Sequence, residues 1–203
     1  MEKQITFLSG PLEISGLFEK RPGDQAVIVT HPHPLYGGEM RNPVVEAARD
    51  AFYENGRGTL RFNFRGVGAS QGTYDEGKGE QNDVRAAQDC LLSAGFTHIT
   101  AAGYSFGAWV NAMAASNGAS FSDMIMISPP VAMMDFDGVS SLPGLGLVIS
   151  GSEDEIAPPG LIRDMLERWN SPAELKIIEG ADHFYSGRMR DLERAVSKYL
   201  AAP

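Results

Sequence analysis

"AAGYSFGAW", residues 101–109, sets two glycines symmetrically around one serine. An apolar run precedes the stretch and a helix-like run follows it. Glycine weakens both strands and helices, so Gly103 and Gly107 must relieve crowding. "GYSFG" matches G-x-S-x-G, a strand-to-helix turn so tight that its serine is strained and its hydroxyl is pushed outward. A β-carbon two positions to either side of that serine would clash. The helix that follows directs free N–H groups and its positive dipole end at the same place, which favours developing negative charge there. Ser105 is thus presented as a nucleophile, with the hydroxyl expected to be exposed.

The pattern around this turn is an alternation of strands and helices. "QITFL" and "LEISGLFE" come first and read as an antiparallel pair. Strands follow at "AVIVTHP", "TLRFNF", "HITAAGYS", "DMIMIS", "LGLVISG" and "ELKIIEG". Helices fall between and after them, at "NPVVEAARDAFYENG", "QNDVRAAQDCLLSAG", "FGAWVNAMAAS", "PGLIRDMLERW" and "RDLERAVSKYL". Asn42–Pro43 supplies a cap and first-turn residue for the first of these, and Gly56 closes it. Such alternation predicts an α/β fold with a mostly parallel eight-stranded sheet and helices on both faces. The 203 residues suit a single domain over 1–203.

Composition narrows the partners. The chain carries 17 Lys and Arg against 26 Asp and Glu, a net charge of −9. An acidic surface repels nucleic acid and anionic lipid, so neither is an expected partner. No apolar run reaches the ~20 residues a bilayer demands. The start, "MEKQITFLSG", lacks a basic region followed by an apolar one, so a cytoplasmic location is expected. Cys90 is the only cysteine, read as a buried thiol in a helix. The sequence shows no metal-ligand spacing, phosphate loop or dinucleotide fingerprint, and no cofactor is expected. Oligomeric state is not legible here.

In parallel sheets, ligands bind outside the carboxyl ends of the strands. Residues with chemistry gather there, at "THPHPLYGG" (30–38), "NFRGVGAS" (63–70), "GYSFG" (103–107), "GSEDEIAPP" (151–159) and "GADHF" (180–184). A serine hydroxyl needs an adjacent base near neutral pH. His98 opens its strand at the far edge. His31 and His33 end the first buried strand. His183, in the loop after the last strand, can reach Ser105. The histidine in turn needs an orienting acid, and Glu153, Asp154 and Glu155 are the candidates. The order serine, acid, histidine suits this fold. Phe106, just after the serine and opening a helix, offers a backbone N–H to a developing oxyanion.

Together "HPHPLYGG", "RFNFRGVGASQG", "GYSFG" and "GADHF" resemble the α/β hydrolase superfamily, specifically its small bacterial members without a cap domain, dienelactone-hydrolase-like and esterase-like. The resemblance runs from about residue 5 to 200. It implies a three-layer fold. Its G-x-x-D pattern after the seventh strand falls on Gly151–Asp154, which selects Asp154 as the acid. Its histidine falls on His183. Its second oxyanion donor falls on the backbone N–H of His33, since Pro32 and Pro34 have none, with Leu35 as the alternative. "RFNFRGVGAS" resembles the D-x-R-G-x-G-x-S segment with Asn63 in place of aspartate, and Arg65, Gly68 and Ser70 read as loop-shaping. Relatives often carry histidine–glycine where this chain has His31–Pro32.

The reading that results is a serine hydrolase. Ser105, Asp154 and His183 would cleave carboxylic esters through an acyl-enzyme. Thioester and peptide cleavage share that chemistry, and a non-enzymatic binding protein on the same fold is the other class. A cap is commonly inserted after the sixth strand. That connection here, residues 129–144, has room for only a turn or two of helix. A shallow cleft open to solvent follows, with Tyr36, Met133 and Met134 as the expected walls of a small acyl pocket.

Overall fold

The computed structural model describes residues 1–142, 144–169 and 171–202. Among the described residues eight strands form one sheet in the order β1-β2-β4-β3-β5-β6-β7-β8. They span β1 (Lys3–Ser9), β2 (Leu12–Glu19), β3 (Gln25–Thr30), β4 (Gly58–Phe62), β5 (His98–Tyr104), β6 (Asp123–Ile127), β7 (Leu145–Gly151) and β8 (Glu174–Ile178). As the sequence suggests, β1 and β2 pair antiparallel, and β2 pairs antiparallel with β4. From β4 to β8 every pairing is parallel. Among the described residues β8 is an edge strand, paired only with β7.

Among the described residues five α-helices cover the sheet: α1 (Pro43–Glu54), α2 (Lys78–Ser93), α3 (Phe106–Ser116), α4 (Pro159–Arg168) and α5 (Met189–Leu200). Successive strand residues point to opposite faces, and "AVIV" in β3 shows the division. Val27 and Val29 pack with Val45 and Phe52 of α1 and Leu192 and Val196 of α5. Ala26 and Ile28 pack with Val84 and Leu91 of α2 and Val110 of α3. Farther along this second face, Met126 and Val148 meet Ala112 of α3 and Ile162 of α4. The result is the three-layer arrangement, with α1 and α5 on one side and α2, α3 and α4 on the other.

Local chemistry explains the boundaries. The Asn42 side chain accepts the Val44 N–H, with Pro43 at the first helical position. Helix α2 starts three residues before the sequence pattern does. There the Glu80 carboxylate accepts the N–H groups of Asp75 and Gly77, which holds the turn that launches the helix. Cys90 is half-buried rather than in the core. It sits on the border of the stripe formed by Val84, Ala87 and Leu91. The connection 129–144 makes turns, with no helix among its described residues. Among the described residues no helix is long and apolar enough to cross a membrane.

The turn after β5 confirms the clash argument. A β-carbon on Gly103 would lie 2.5 Å from the Ala108 nitrogen, and one on Gly107 would lie 2.6 Å from the Thr30 carbonyl oxygen. Both obstacles are backbone of packed elements, so neither can step aside. Gly107→Ala should therefore destabilise the protein by about 1–3 kcal/mol, the usual cost of overpacking, despite alanine's better helix propensity. A urea titration of both proteins checks this, and an unchanged midpoint would refute it.

Candidate active site

Ser105 occupies the turn between β5 and α3 with φ 53° and ψ −118°. Its N–H donates to Ile127 of β6 at 2.9 Å, so the strained residue is pinned to the centre of the sheet. Asp154 follows β7 by three residues and His183 lies in the loop beyond β8. The three side chains meet. The Ser105 Oγ is 3.0 Å from His183 Nε2, and His183 Nδ1 lies 3.0 and 2.9 Å from the two oxygens of Asp154. A carboxylate only accepts hydrogen bonds, so the ring proton belongs on Nδ1 and Nε2 is free to accept from the serine hydroxyl.

Burial around this line is deep. Ser105, His183 and Asp154 are 8%, 7% and 3% exposed. The hydroxyl is thus at the floor of a cleft, as the sequence suggests, but it is buried there rather than exposed, because the loops after β3, β6 and β8 rise around the turn. Burial pushes the Asp154 pKa up, but the hydrogen bond and charge of His183, the Ser128 hydroxyl and the Ala157 N–H outweigh it and hold the group below the ordinary carboxylate value. The Asp154 Oδ1 also accepts the Ile156 and Ala157 N–H groups at 3.0 and 2.8 Å. Glu153 and Glu155 are both exposed. Asp182 turns into its own loop, where it accepts from Phe184 and Ser186. Of the acids near His183, Asp154 alone faces the ring.

The loop after β3 has an unusual hydrogen-bond ledger. Leu35 N–H donates to His33 Nδ1, Tyr36 and Gly38 N–H donate to the His33 carbonyl, and Gly37 N–H donates to Pro34. Pro32 and Pro34 have no N–H. Among the described residues, the His33 and Phe106 N–H groups have no acceptor. Both residues line the same cleft as Ser105. The His33 ring packs against Tyr36, Tyr74 and Phe106.

That cleft has a volume of about 320 Å³. The three residues expected from the sequence all line it. Tyr36 and Met133 stand at the rim, 82% and 68% exposed. Met134 is half-buried and also packs into the core. Phe184, at the rim and 66% exposed, was not apparent from sequence; its place beside His183 is the signal that could have found it. A wider cleft of about 440 Å³ lies at the opposite end of the sheet beside α2, and no histidine lines it. Among the described residues no group of three or more His, Cys, Asp or Glu side chains could hold a metal ion.

The serine turn, the topology and the lidless cleft decide the matter of kinship. The chain belongs to the α/β hydrolase superfamily. An α/β serine hydrolase homologue from Coxiella burnetii is 32% identical, with 98% of this chain and 97% of that one covered and a TM-score of 0.91. XC6422 from Xanthomonas campestris, described as an α/β serine hydrolase without lid, is 33% identical over 100% of this chain and 97% of its own, with a TM-score of 0.88. The uncharacterised protein RP471 of Rickettsia prowazekii is 35% identical over 97% of this chain and 88% of its own length. No protein-family model matches the chain.

Within this hydrolase, the family-like loop "RFNFRGVGAS" shapes backbone. Asn63 Oδ1 accepts the Met40 N–H, Ser70 Oγ donates to the Asn63 carbonyl, and Arg65 pairs with the buried Asp83. His31 has a part that the sequence did not reveal. It is fully buried, its Nε2 accepts the Phe64 N–H at 3.0 Å, and its Nδ1 faces the Pro32 carbonyl at 2.7 Å. A backbone N–H can only donate, so the ring proton is on Nδ1. Burial above all pulls the His31 pKa from 6.5 down to about 4, against the pull of the Pro32 carbonyl.

The sign of the resulting pH dependence follows. Above pH 6.5 the ring is neutral in the folded and unfolded chain alike. Between 6.5 and 4 the unfolded chain takes up a proton that the folded chain refuses. Stability therefore falls as the pH falls through that window, by about 3 kcal/mol from this group at most. His31→Gln keeps an uncharged polar side chain and cannot titrate. Its urea midpoint should decline less between pH 6.5 and 4 than the wild type's; parallel declines would exclude His31 as the cause.

Proposed function

We propose that this hydrolase cleaves carboxylic esters with short acyl chains, through an acyl-enzyme built on Ser105, His183 and Asp154. The observation that carries the reading is the unbroken line of hydrogen bonds from Ser105 Oγ through His183 to Asp154, at the floor of a cleft large enough for a small substrate. In the first half-reaction Ser105 Oγ attacks the ester carbonyl carbon while His183 Nε2 takes the hydroxyl proton. Asp154 stays ionised and steadies the imidazolium. The oxyanion then accepts from the N–H groups of Phe106 and His33, two residues that line the cleft and whose N–H groups have no acceptor among the described residues. His183 returns its proton to the departing alkoxide, and the alcohol leaves. Water, deprotonated by the same nitrogen, then releases the acid and frees the serine.

Thioesters and peptides present the same carbonyl. A small-molecule ester suits the site best, since the cleft is short, mostly apolar and without a lid. Tyr36, Met133 and Met134 then form walls for the acyl chain, methionine adapting to irregular shapes.

Two measurements test this. A fluorophosphonate should label wild-type protein at Ser105, and Ser105→Ala should lose both the label and p-nitrophenyl acetate hydrolysis while keeping its fold. Label or turnover surviving in the variant would remove Ser105 from the mechanism, and a folded wild type that neither reacts nor hydrolyses would favour a binding protein.

The second measurement concerns acyl length. Each buried methylene is worth about 0.8 kcal/mol, so the gain in kcat/KM should stop where the cleft ends, at roughly two to six acyl carbons. A series of p-nitrophenyl esters from acetate to palmitate reads this directly. A rise that continues through the long chains would mean a covered tunnel and would overturn the proposal of a short pocket.

A further inference from the structure

The proposed mechanism needs two backbone donors at a fixed separation, and they come from different elements. Phe106 opens α3, and His33 lies in the loop after β3. Strand pairing sets Thr30 beside Gly103, the last residues joined between β3 and β5. Each donor stands three residues beyond that pair, so the sheet alone does not set their spacing.

The side chains of the same two residues meet. The His33 and Phe106 ring centroids lie 4.8 Å apart, and Tyr74, from the segment between β4 and α2, closes a triangle at 5.1 Å from His33 and 5.9 Å from Phe106. Tyr74 is half-buried. The His33 imidazole is tied at both nitrogens. Its Nδ1 accepts the Leu35 N–H at 3.2 Å, and its Nε2 lies 3.2 Å from the Tyr74 hydroxyl. A backbone N–H only donates, so Nδ1 is bare. Burial pulls the His33 pKa below its ordinary value, which keeps the ring neutral at neutral pH. The single ring proton is therefore on Nε2, and it is donated to the Tyr74 oxygen. Among the described residues neither the Leu35 N–H nor the Tyr74 hydroxyl has another partner. Phenylalanine at position 74 would preserve the triangle of rings and lose this bond.

We infer that Tyr74 and the His33 imidazole are positioning residues: the phenol anchors the imidazole, and the imidazole holds the loop after β3 against Phe106, so that the two N–H groups keep the separation an oxyanion requires. The inference rests on the reading of those two N–H groups as the oxyanion donors. It gives the His33 side chain a task separate from that of its backbone. It also ties the loop after β3 to the segment after β4, which the catalytic steps do not otherwise use.

The test uses Tyr74→Phe, His33→Ala and the double variant, with active sites counted by fluorophosphonate titration. All three keep every backbone N–H, so a loss of rate comes from the side chains. Tyr74→Phe should lower kcat per titrated site roughly five-fold, the scale of one hydrogen bond. His33→Ala should lower it further, up to the roughly 100-fold that a missing oxyanion donor costs. KM should stay within about two-fold, because the donors meet charge that develops only in the transition state. The double variant should be no slower than His33→Ala, since the phenol acts through the imidazole. Unchanged kcat per site in either single variant would mean that its side chain only packs, and multiplicative losses would mean that the two act separately; either overturns the clamp. Nitrogen NMR gives a reading without turnover. At neutral pH the wild-type His33 ring should be protonated on Nε2 and bare on Nδ1, and in Tyr74→Phe the Nε2 proton should exchange with water faster. The opposite tautomer, or unchanged exchange, overturns the clamp whether or not the protein hydrolyses esters. The expected tautomer and exchange in a protein that cleaves no ester would sink the esterase reading alone. Tyr74→Phe keeps the ring, so it decides the question should His33→Ala fail to fold.

Discussion

The structure around the active site depends on one crowded turn. Ser105 leaves β5 in a backbone conformation that L-residues avoid, and α3 begins at the next residue. The helix can start so close to the strand only because Gly103 and Gly107 leave room for the Ala108 nitrogen and the Thr30 carbonyl. That closeness fixes two things at once. The hydroxyl must point away from the sheet, and the first N–H of α3 must sit beside it without a partner. The two roles proposed here, nucleophile and oxyanion donor, would both follow from a single steric choice.

The other groups are arranged about that fixed point by strand order. Ser105, Asp154 and His183 are far apart in the chain, but β5, β7 and β8 end on the same side of a parallel sheet. Each strand therefore delivers its following loop to the same cleft. Short connections then bring the side chains to hydrogen-bonding distance. The loop after β3 adds its contribution by a different route. Nearly every N–H in it is consumed internally or abolished by proline, which leaves His33 as the spare donor.

Much of this was legible in the sequence because it is written in local patterns. Apolar strand runs, Asn42–Pro43 and the glycines around Ser105 all act within a few residues of themselves. The serine, the acid and the histidine were reachable because their strand ends carry residue types that a plain core would not. What was not legible depends on contacts across the fold. Nothing near His31 in the chain says that the Phe64 N–H will meet its ring. The early start of α2 turns on Glu80 reaching back to Asp75 and Gly77. The depth of Ser105 depends on how high three separate loops stand.

The placement of β8 carries one more consequence. This strand has a neighbour on one side only, and it is the element that leads into the His183 loop. Ser105, the proposed nucleophile, is mounted at the middle of the sheet, whereas His183, the proposed base, is mounted at its margin. Marginal strands open by local fluctuation at lower free energy than central ones. Under the proposed mechanism, local opening at β8 would take the base away before the chain unfolds, leaving a folded protein with an intact serine and nothing to activate it.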